Sequence, residues 1–350
     1  MSLFRGKTFL LPKQKIYFRE LFFILKKLTA MILLGGMLCG MTACGGGNTA
    51  ANEEKAPAKI GISQYGEHAS LDNCREGFLQ GLKDAGLEEG KDYTVDYKNA
   101  GFDDNVAIQI GQSFSADNVD LMCAIATPSA TACFAAAEDK DIPVIFTAIT
   151  DPVEAGLHEG NITGTSDQLP IAGQMELIRK MLPDAKVIGI VYTTSEPNSV
   201  SAIREYHAKA AEYGFEIDAI GVTAQSEVVQ AVDTLLSHNV DCLSNLTDNN
   251  VVGVLSSILE KTYEKKIPVF GSEIEQVKLG CVASAGLDYY KLGQQTGAMA
   301  AKVIRGESTC ADMPYEVIKE YNTYVNVESC NELGIAVPAE VMDVAITDFE

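Results

Sequence analysis

The stretch that decides the fold is residues 121–147, LMCAIATPSATACFAAAEDKDIPVIFT. Leu121–Ala126 is a continuous apolar run that predicts a buried strand, and the Ala-rich segment Ser129–Asp139 predicts a helix. Pro143–Thr147 is apolar again and predicts the next strand. Strands that are apolar throughout and alternate with helices are typical of a parallel sheet covered by helices on both faces.

The same alternation extends in both directions and then restarts. Upstream, the patterns predict strands at Lys59–Ser63 and Tyr93–Tyr97 and helices at Leu71–Ala85 and Asp104–Ala116. A second series of similar size follows, with predicted helices at Gly173–Leu182, Ser199–Tyr213, Val228–Ser237, Val251–Lys265 and Tyr290–Ile304, and predicted strands at Val187–Tyr192, Glu216–Ile220, Asp241–Asn245, Ile267–Phe270 and Tyr315–Val327. A chain of 350 residues is long enough for two such units. We therefore predict an α/β protein with two Rossmann-like parallel-sheet lobes.

The charge balance excludes a nucleic-acid partner. The chain has 27 Lys and Arg against 48 Asp and Glu, a formal net charge of -21, which opposes binding to a phosphate backbone. Residues 1–43 hold seven of the basic residues and one acid, so 20 basic and 47 acidic residues follow Ala43. The acidity therefore belongs to the folded part of the chain.

The N-terminal segment has the features of a lipoprotein signal peptide. Lys26 and Lys27 precede the apolar run Leu28–Met41, which is shorter than the roughly 20 residues of a membrane-spanning helix. The run ends in small residues before Cys44, which resembles a bacterial lipobox and implies a diacylglycerol anchor on Cys44 after removal of residues 1–43. The alternative is an ordinary N-terminal membrane anchor.

Two further expectations concern the N-terminal region. Residues 44–57 lack apolar periodicity and predict a flexible tether between the membrane and the folded lobes. Because residues 1–24 are long for the basic part of a signal peptide, we hypothesise that translation begins at Leu25.

The cysteines and histidines do not form a recognisable metal or catalytic motif. Seven cysteines remain besides Cys39 in the signal peptide and Cys44, and an odd number cannot all pair. No CxxC motif occurs and the four histidines are scattered, so we expect no metal site and no cofactor. GxSxG, HExxH and P-loop motifs are absent as well, which disfavours an enzyme. The apolar contexts of four thiols are typical of buried free cysteines: Cys123, Cys133, Cys242 and Cys281.

Ligands of such folds bind beyond the carboxyl ends of the strands, so the polar segments that follow the strands are candidate binding segments. They are Gln64–Ser70, Thr127–Ser129, Thr147–Pro152, Thr193–Asn198, Thr247–Asn249 and Gly271–Glu273. At Thr127–Ser129 a buried strand meets a helix whose free N–H groups could hold a carboxylate. The alternative is that Thr127 or Ser129 simply caps the helix.

Acidic and aromatic residues suggest the rest of a small-molecule site. Asp151 beside Thr150 and Asp248 in Thr247–Asn249 occupy matching positions in the two halves. Each acid could cap a turn or bind a ligand ammonium, and such pairs suit an amino-acid zwitterion or a sugar. Tyr65 and Tyr289 are candidate aromatic walls, and His68 is either a structural hydrogen-bonding residue or a ligand contact.

From Lys59 to Glu307 the chain resembles lipoprotein substrate-binding proteins of ABC importers, in particular the subgroup that binds tryptophan and other aromatic amino acids. The blocks that carry this resemblance are Asp72–Gly86 (DNCREGFLQGLKDAG), Ala124–Ala130 (AIATPSA), Pro143–Gly156 (PVIFTAITDPVEAG), Asn161–Ser166 (NITGTS), Thr247–Asn249 (TDN) and Asp288–Gly297 (DYYKLGQQTG). The resemblance implies the periplasmic-binding-protein type I fold, in which two lobes close on a ligand by hinge motion.

The resemblance also implies domain boundaries and residue roles. Lobe one would be residues 58–165 with 287–313, and lobe two residues 166–286 with 314–350. Thr127 and Ser129 would hold a ligand carboxylate, while Asp151, Asp248 or Glu273 would bind its ammonium. Further contacts are implied for Gln64, Tyr65 and His68 from the first lobe and for Ser195, Glu196 and Asn198 from the second.

The implied partners are an ABC permease with its ATPase and the membrane that holds the lipid on Cys44. Two alternatives remain open. The same scaffold could bind a sugar or nucleoside, in which case stacked aromatic rings and paired Asp and Asn residues should dominate the cleft. It could also be a sensor component that passes its closure to a receptor partner.

Overall fold

The structure is a computed structural model that describes residues 56–349. The predicted signal peptide, Cys44 and the proposed start at Leu25 lie outside the described residues. The strands are β1 (Ala58–Gln64), β2 (Tyr93–Asn99), β3 (Leu121–Ile125), β4 (Val144–Thr147), β5 (Ile162–Ser166), β6 (Val187–Thr193), β7 (Glu216–Val222), β8 (Cys242–Ser244), β9 (Val269–Phe270), β10 (Ala283–Gly286), β11 (Glu316–Val317), β12 (Asn322–Val325) and β13 (Ala345–Ile346). The helices are α1 (Ala69–Asp84), α2 (Asp104–Ala116), α3 (Thr127–Ala137), α4 (Ile171–Met181), α5 (Pro197–Lys209), α6 (Gln225–Ser237), α7 (Asn249–Val252), α8 (Leu255–Glu264), α9 (Ile274–Leu279), α10 (Tyr289–Arg305), α11 (Val327–Leu333) and α12 (Ala339–Met342).

These elements form two sheets in which the first five strands of each lobe have the same spatial order. The first sheet has the order β11-β5-β4-β3-β1-β2, and the second has the order β13-β12-β10-β9-β8-β6-β7. Neighbouring strands are parallel except where β12 pairs antiparallel with β10. In each sheet the order reverses beside the strand that opens the lobe, which is the position where doubly wound folds bind ligands.

The strands in the middle of each sheet are buried because helices cover both faces. All five residues of β3 and all four of β4 are buried, as their continuous apolar runs predicted. Asp103 caps α2 by accepting hydrogen bonds from the N–H groups of Asn105 and Val106. Caps of this kind satisfy free N–H groups and fix where a helix begins.

Helices α1 and α10 pack closely through four glycines. A Cβ atom at Gly77 or Gly81 would lie 2.0 or 2.2 Å from a carbonyl oxygen of α10, and one at Gly293 or Gly297 would lie 2.2 Å from a carbonyl oxygen of α1. Only hydrogen atoms fit in this space, so the two helix backbones lie in contact. This packing holds the first residue of α10, Tyr289, against the first lobe, which is how that side chain enters the cavity described below.

The segments that differ from the expectations include β11, the helices α7 and α8, and β5. β11 pairs with β5, so Glu316–Val317 belongs to the first sheet, whereas residues 314–350 were assigned to lobe two from the resemblance. The predicted helix Val251–Lys265 is two helices, α7 and α8, since Gly253 and Val254 separate them. Strand β5 is an additional strand: its Thr, Gly and Ser residues weaken the apolar pattern, although all five of its residues are buried.

The cysteines follow the expectation for buried thiols. All seven in the described residues are buried and free, which confirms the prediction for Cys123, Cys133, Cys242 and Cys281. Burial raises the pKa of Cys133 to about 12, so this thiol stays protonated and unreactive at neutral pH. None of the helices within residues 56–349 has the length and apolar character that crossing a membrane requires.

Candidate ligand-binding site

A small cavity lies where the carboxyl ends of the strands in the two sheets face each other. Its volume is about 20 Å³, room for a water molecule, so anything larger requires the lobes to move apart. Both lobes contribute to its wall, which consists of His68, Ser70, Leu71, Ala126, Ala148, Asp167, Asn198, Thr247, Asn249, Val252, Glu273, Gln276 and Tyr289.

Asp167 gives the cavity an acceptor for a cation. It follows β5 directly and is 1% exposed. The Tyr289 hydroxyl donates to Asp167 Oδ2, while Oδ1 of the same carboxylate has no partner among the described residues. Burial raises the pKa of Asp167, and the Tyr289 hydrogen bond opposes this shift by favouring the charged form. A ligand cation at Oδ1 would complete this site.

Glu273 is a second buried acid in the cavity wall. Its oxygens accept hydrogen bonds from the N–H groups of Glu275 (2.7 Å) and Gln276 (2.9 Å), so it caps α9. Burial raises its pKa to about 7, despite these two backbone hydrogen bonds, which lower it. Near neutral pH this carboxyl is therefore partly protonated, and a cation in the cavity would favour the charged form.

Two helix N-termini lie at the cavity and favour negative charge. α1 begins after His68 and α3 after Ala126, and no side-chain hydrogen bond caps either helix. Ser70 and Leu71, in the first turn of α1, line the cavity together with Ala126. Because the wall includes no lysine or arginine among the described residues, a ligand carboxylate would depend on these N–H groups and helix dipoles.

The backbone is strained at two of the wall positions. Ala126 has φ 76° and Ala148 has φ 59°, a region that favours glycine, and they follow the neighbouring strands β3 and β4. Non-glycine residues with such angles cost of order 1–3 kcal/mol and cluster at functional sites. The strain turns the backbone sharply at the end of each strand, where the cavity begins.

In the second lobe, a buried acid organises two amides at the cavity. Glu196 Oε2 accepts from Nδ2 of Asn198 (3.0 Å) and from Nδ2 of Asn249 (2.7 Å), and both asparagines line the cavity. Burial raises the pKa of Glu196, and the nearby carboxyl of Asp248 raises it further. Glu196 therefore acts on the cavity through Asn198 and Asn249 and does not line it itself.

Polar contacts between the lobes hold the cavity closed. Thr150 Oγ1 lies 3.0 Å from Thr247 Oγ1. Asn73 donates to Glu275 Oε1 at 2.9 Å. Toward the surface, Ser201 donates to Asp151 Oδ2 at 2.5 Å, and Arg204 pairs with Glu154 at 3.0 Å. Each pair joins one residue from each lobe, so the structure represents the closed arrangement.

The structure brings together six of the side chains predicted from the sequence. Three come from polar segments after strands of the second lobe, two are the N-caps of α9 and α1, and one is the first residue of α10. They are Asn198, Thr247, Asn249, Glu273, His68 and Tyr289. Thr150 lies beside the cavity through its contact with Thr247.

Four predicted side chains of the first lobe are used inside that lobe and do not line the cavity. Gln64 donates to Gly66 O and accepts from Arg75, so it shapes the loop after β1. Tyr65 donates to Asp104 Oδ1 at 2.8 Å and is not a wall of the cavity. Ser129 accepts from Ser63 Oγ at 3.2 Å in the lobe interior, and Thr127 is buried beside it.

Four more predicted residues have other positions. Ser195 is exposed. Asp151 faces Ser201 across the lobes, and the N–H of Glu154 donates to its other oxygen. Asp248 accepts from Thr193, Ser199 and Val251, so its carboxylate is satisfied within the second lobe. Glu196, as described above, supports the two asparagines. The ammonium assignment to Asp151 or Asp248 is therefore not supported by the geometry.

Sequence reasoning missed Asp167, the acid with a free oxygen. The recognised block Asn161–Ser166 stops one residue before it. The position of Asp167 could have identified it, because it is a polar residue directly after a strand, at the sheet edge where the other candidates lie. It was missed because β5 was not predicted as a strand. In the described part of the chain, no group of three or more His, Cys, Asp or Glu side chains is placed to hold a metal ion.

Two α/β lobes, each built on a mostly parallel sheet and closed around a small cavity, define a binding protein of the periplasmic-binding-protein type I class. The chain belongs to the ABC transporter substrate binding protein family, whose model matches residues 59–348. It is 38% identical over 324 residues to the tyrosine-binding protein of Clostridioides difficile, which covers 89% of this chain and 93% of that protein. The predicted resemblance is thereby confirmed.

Two solved structures are similar to this chain and differ in how well they superpose. An ABC domain from Streptococcus pneumonia in complex with L-Trp is 32% identical, covers 83% of this chain and 100% of its own, and gives a TM-score of 0.79. The ligand-free, open structure of a substrate-binding protein with adhesive properties from Clostridium difficile is 36% identical. The match covers 83% of this chain and 100% of that chain, and the TM-score is 0.60. The poorer match to the open structure agrees with the interlobe contacts of the closed arrangement.

Proposed function

We propose that this protein captures an aromatic amino acid in the interlobe cavity and delivers it to an ABC permease. The observation that carries the proposal is the Asp167 carboxylate, which is buried in this small cavity with one oxygen unpartnered. Asp167 binds the ligand ammonium, and the N-terminus of α3 binds the carboxylate. The relatives that bind tyrosine and L-Trp support this ligand class.

The wall chemistry favours an amino acid over a sugar. A sugar site uses stacked aromatic rings with paired hydrogen-bonding groups, whereas Tyr289 is the one Tyr, Phe or Trp ring in the wall among the described residues. The wall instead combines an acidic side, Asp167 and Glu273, with uncapped helix N-termini, which is the charge pattern of a zwitterion. Binding proceeds without chemical turnover.

The proposal includes the protein's location and partners. The lipid on Cys44 anchors the protein outside the cytoplasm, residues 44–57 tether the lobes, and the permease with its ATPase receives the ligand. The lobes are residues 58–165 with 287–317 and residues 166–286 with the chain after β11. Replacing Cys44 with Ala should release the protein from the membrane fraction and abolish incorporation of labelled fatty acid. Retention of either property would contradict the anchor.

The binding site is tested by titration calorimetry of the purified protein with tyrosine, tryptophan and phenylalanine. Asp167→Asn should weaken binding of the preferred amino acid about a hundredfold, because a buried charged hydrogen bond is lost. The analogue 3-(4-hydroxyphenyl)propionate lacks the ammonium and should bind weakly and equally to both proteins.

The matched control is Asp241→Asn, since Asp241 accepts backbone hydrogen bonds from Lys186 and Val187 at the amino end of β6, away from the cavity. Its affinity should equal that of the unaltered protein. If no amino acid binds, or if Asp167→Asn leaves the affinity unchanged, the proposed function is wrong.

A further inference from the structure

We infer that Asn198 and His68 form a subsite that recognises a hydroxyl group on the ligand side chain, so that the protein prefers tyrosine to phenylalanine. The inference rests on the proposed function and specifies its ligand. It depends on two polar side chains whose hydrogen-bonding atoms at the cavity have no partner among residues 56–349: Oδ1 of Asn198 and both ring nitrogens of His68.

The orientation of the Asn198 amide is fixed by its neighbours. Nδ2 donates to Glu196 Oε2 at 3.0 Å and to the carbonyl oxygen of Thr247 at 3.1 Å. A flipped amide would place Oδ1 against the Thr247 carbonyl, which can only accept. Oδ1 is therefore the atom left without a partner, in a residue that is 4% exposed and lines the cavity. It requires a donor from the ligand.

Glu196 holds this arrangement in place. Its Oε2 also accepts from Asn249 Nδ2 at 2.7 Å and from the Asn249 N–H at 3.2 Å. Asn198, Asn249 and His68 all line the cavity, the two asparagines from the second lobe and His68 from the first.

His68 supplies both a donor and an acceptor. Its ring stacks on Phe102 with centroids 6.3 Å apart and planes 7° apart, so packing holds its orientation. Burial lowers the pKa of His68 to about 4, and the ring is neutral at physiological pH. One ring nitrogen of a neutral imidazole donates and the other accepts.

A phenolic hydroxyl satisfies this subsite best. It donates to Asn198 Oδ1 and accepts from the His68 N–H, while Asp167 is reserved for the ammonium because a charged acceptor binds a cation more strongly than an amide does. The indole N–H of tryptophan can only donate and leaves the His68 donor unpaired. Phenylalanine leaves both groups buried and unpaired, which is the situation that binding sites reject most strongly.

The test is calorimetric titration of the purified full-length protein with tyrosine, tryptophan, phenylalanine and O-methyltyrosine. Tyrosine should bind roughly 30-fold or more tightly than phenylalanine, with tryptophan between them. O-methyltyrosine cannot donate and should lose most of the tyrosine advantage. Asn198→Ala should reduce the ratio of tyrosine to phenylalanine affinity to below about five, since it removes the acceptor.

The matched control for Asn198 is Asn161→Ala. Asn161 Nδ2 also donates to two oxygens, both of Asp141, and its Oδ1 is also buried and unpartnered, but it lies before β5 and outside the cavity wall. This variant should keep the full selectivity. A second variant, His68→Phe, preserves a ring against Phe102 and removes both nitrogens. It should weaken tyrosine binding while phenylalanine binding stays equal or improves.

The outcomes separate this inference from the proposed function. Equal binding of tyrosine and phenylalanine to the unaltered protein overturns the subsite and leaves the amino-acid function intact. Selectivity that persists in both Asn198→Ala and His68→Phe also overturns it. If none of the four amino acids binds, the proposed function fails and the subsite fails with it. Should Asn198→Ala not fold, His68→Phe still decides the question.

Discussion

Tyr289 donates its phenolic hydrogen to one oxygen of Asp167 and leaves the other oxygen free in the cavity. Tyr289 is the first residue of α10 and Asp167 follows β5, so 122 residues separate them in the chain. The hydrogen bond favours the charged form of Asp167 and orients its free oxygen. Tyr289 is thus a positioning residue for the proposed ammonium site as well as part of the wall.

Replacing Tyr289 with Phe should weaken amino-acid binding about tenfold, because a hydrogen bond to a charged group contributes roughly 1.5–3 kcal/mol. The pKa of Asp167 should rise at the same time, so the loss should be larger at low pH. Tyr65→Phe is the matched control, since Tyr65 also donates to a carboxylate, Asp104, outside the cavity wall. Calorimetry measures both, and equal effects of the two variants would contradict the role of Tyr289.

Ligand binding should release protons near neutral pH. Burial raises the pKa of Glu273 to about 7, and a ligand ammonium in the same cavity lowers it again by favouring the charged form. Affinity should therefore rise with pH up to about 7 and level off above it, by at most about tenfold per pH unit for each proton released. Titration in phosphate and in Tris, which differ in ionisation enthalpy, measures the protons released. Glu273→Gln should show a weaker pH dependence.

Glu273 should make the unliganded protein less stable as pH rises, whereas the affinity for the ligand rises with pH. Between the ordinary pKa of 4.5 and about 7, the folded state holds a proton on Glu273 that the unfolded state has lost. This acid therefore destabilises the fold as pH rises through that window. Comparison of Glu273→Gln with the unaltered protein isolates the contribution. If the melting temperature of the unaltered protein rises relative to that of Glu273→Gln as the pH increases through this window, the assignment is contradicted.

Breaking a contact between the lobes should weaken binding without altering the cavity wall. Ser201 donates to Asp151 across the interface, and its loss should favour the open arrangement by roughly 0.5–1.5 kcal/mol, a few-fold in affinity. Asp151→Ala, Ser201→Ala and the double variant form a cycle in which the double loss is smaller than the sum. Small-angle scattering of the unliganded variants should show larger radii of gyration, and unchanged radii with unchanged affinity would contradict the role in closure.

Ala126→Gly should stabilise the unliganded fold by about 1 kcal/mol, because glycine relieves strain at φ 76° by more than its extra chain entropy costs. Ala130→Gly, in the interior of α3, should instead destabilise it by roughly 1 kcal/mol. Urea unfolding measures both. Destabilisation by Ala126→Gly would show that the backbone at this cavity position is not strained.

The fold was largely predictable because its signal is local. Continuous apolar runs such as Leu121–Ile125 specify strands buried on both faces, and helical spacing between them specifies the covering helices. β5 was missed because Thr and Gly dilute its apolar pattern. Its burial depends on neighbours far away in the chain, such as the Thr165 hydroxyl contact with Thr296 in α10.

The site was predicted less well, for a physical reason. Every segment that follows a strand is polar, and local sequence does not distinguish a carboxylate used for capping from one that faces a ligand. Asp248 and Asp167 both follow or adjoin the strand ends, yet Asp248 is satisfied by Thr193, Ser199 and Val251, while one oxygen of Asp167 is free. The difference depends on partners brought together by packing.

The sequence by itself determined the two-lobed α/β class, the edge of each sheet where the cavity lies, and the family, because periodicity and block order are properties of contiguous residues. Only the tertiary structure decided which side chains meet there. Tyr289 reaches Asp167 because α1 and α10 approach through their glycines. Asn198 turns Oδ1 toward the cavity because Glu196 and Thr247 occupy its Nδ2. Hydrogen bonds between residues far apart in the chain are fixed only when the lobes have packed and closed.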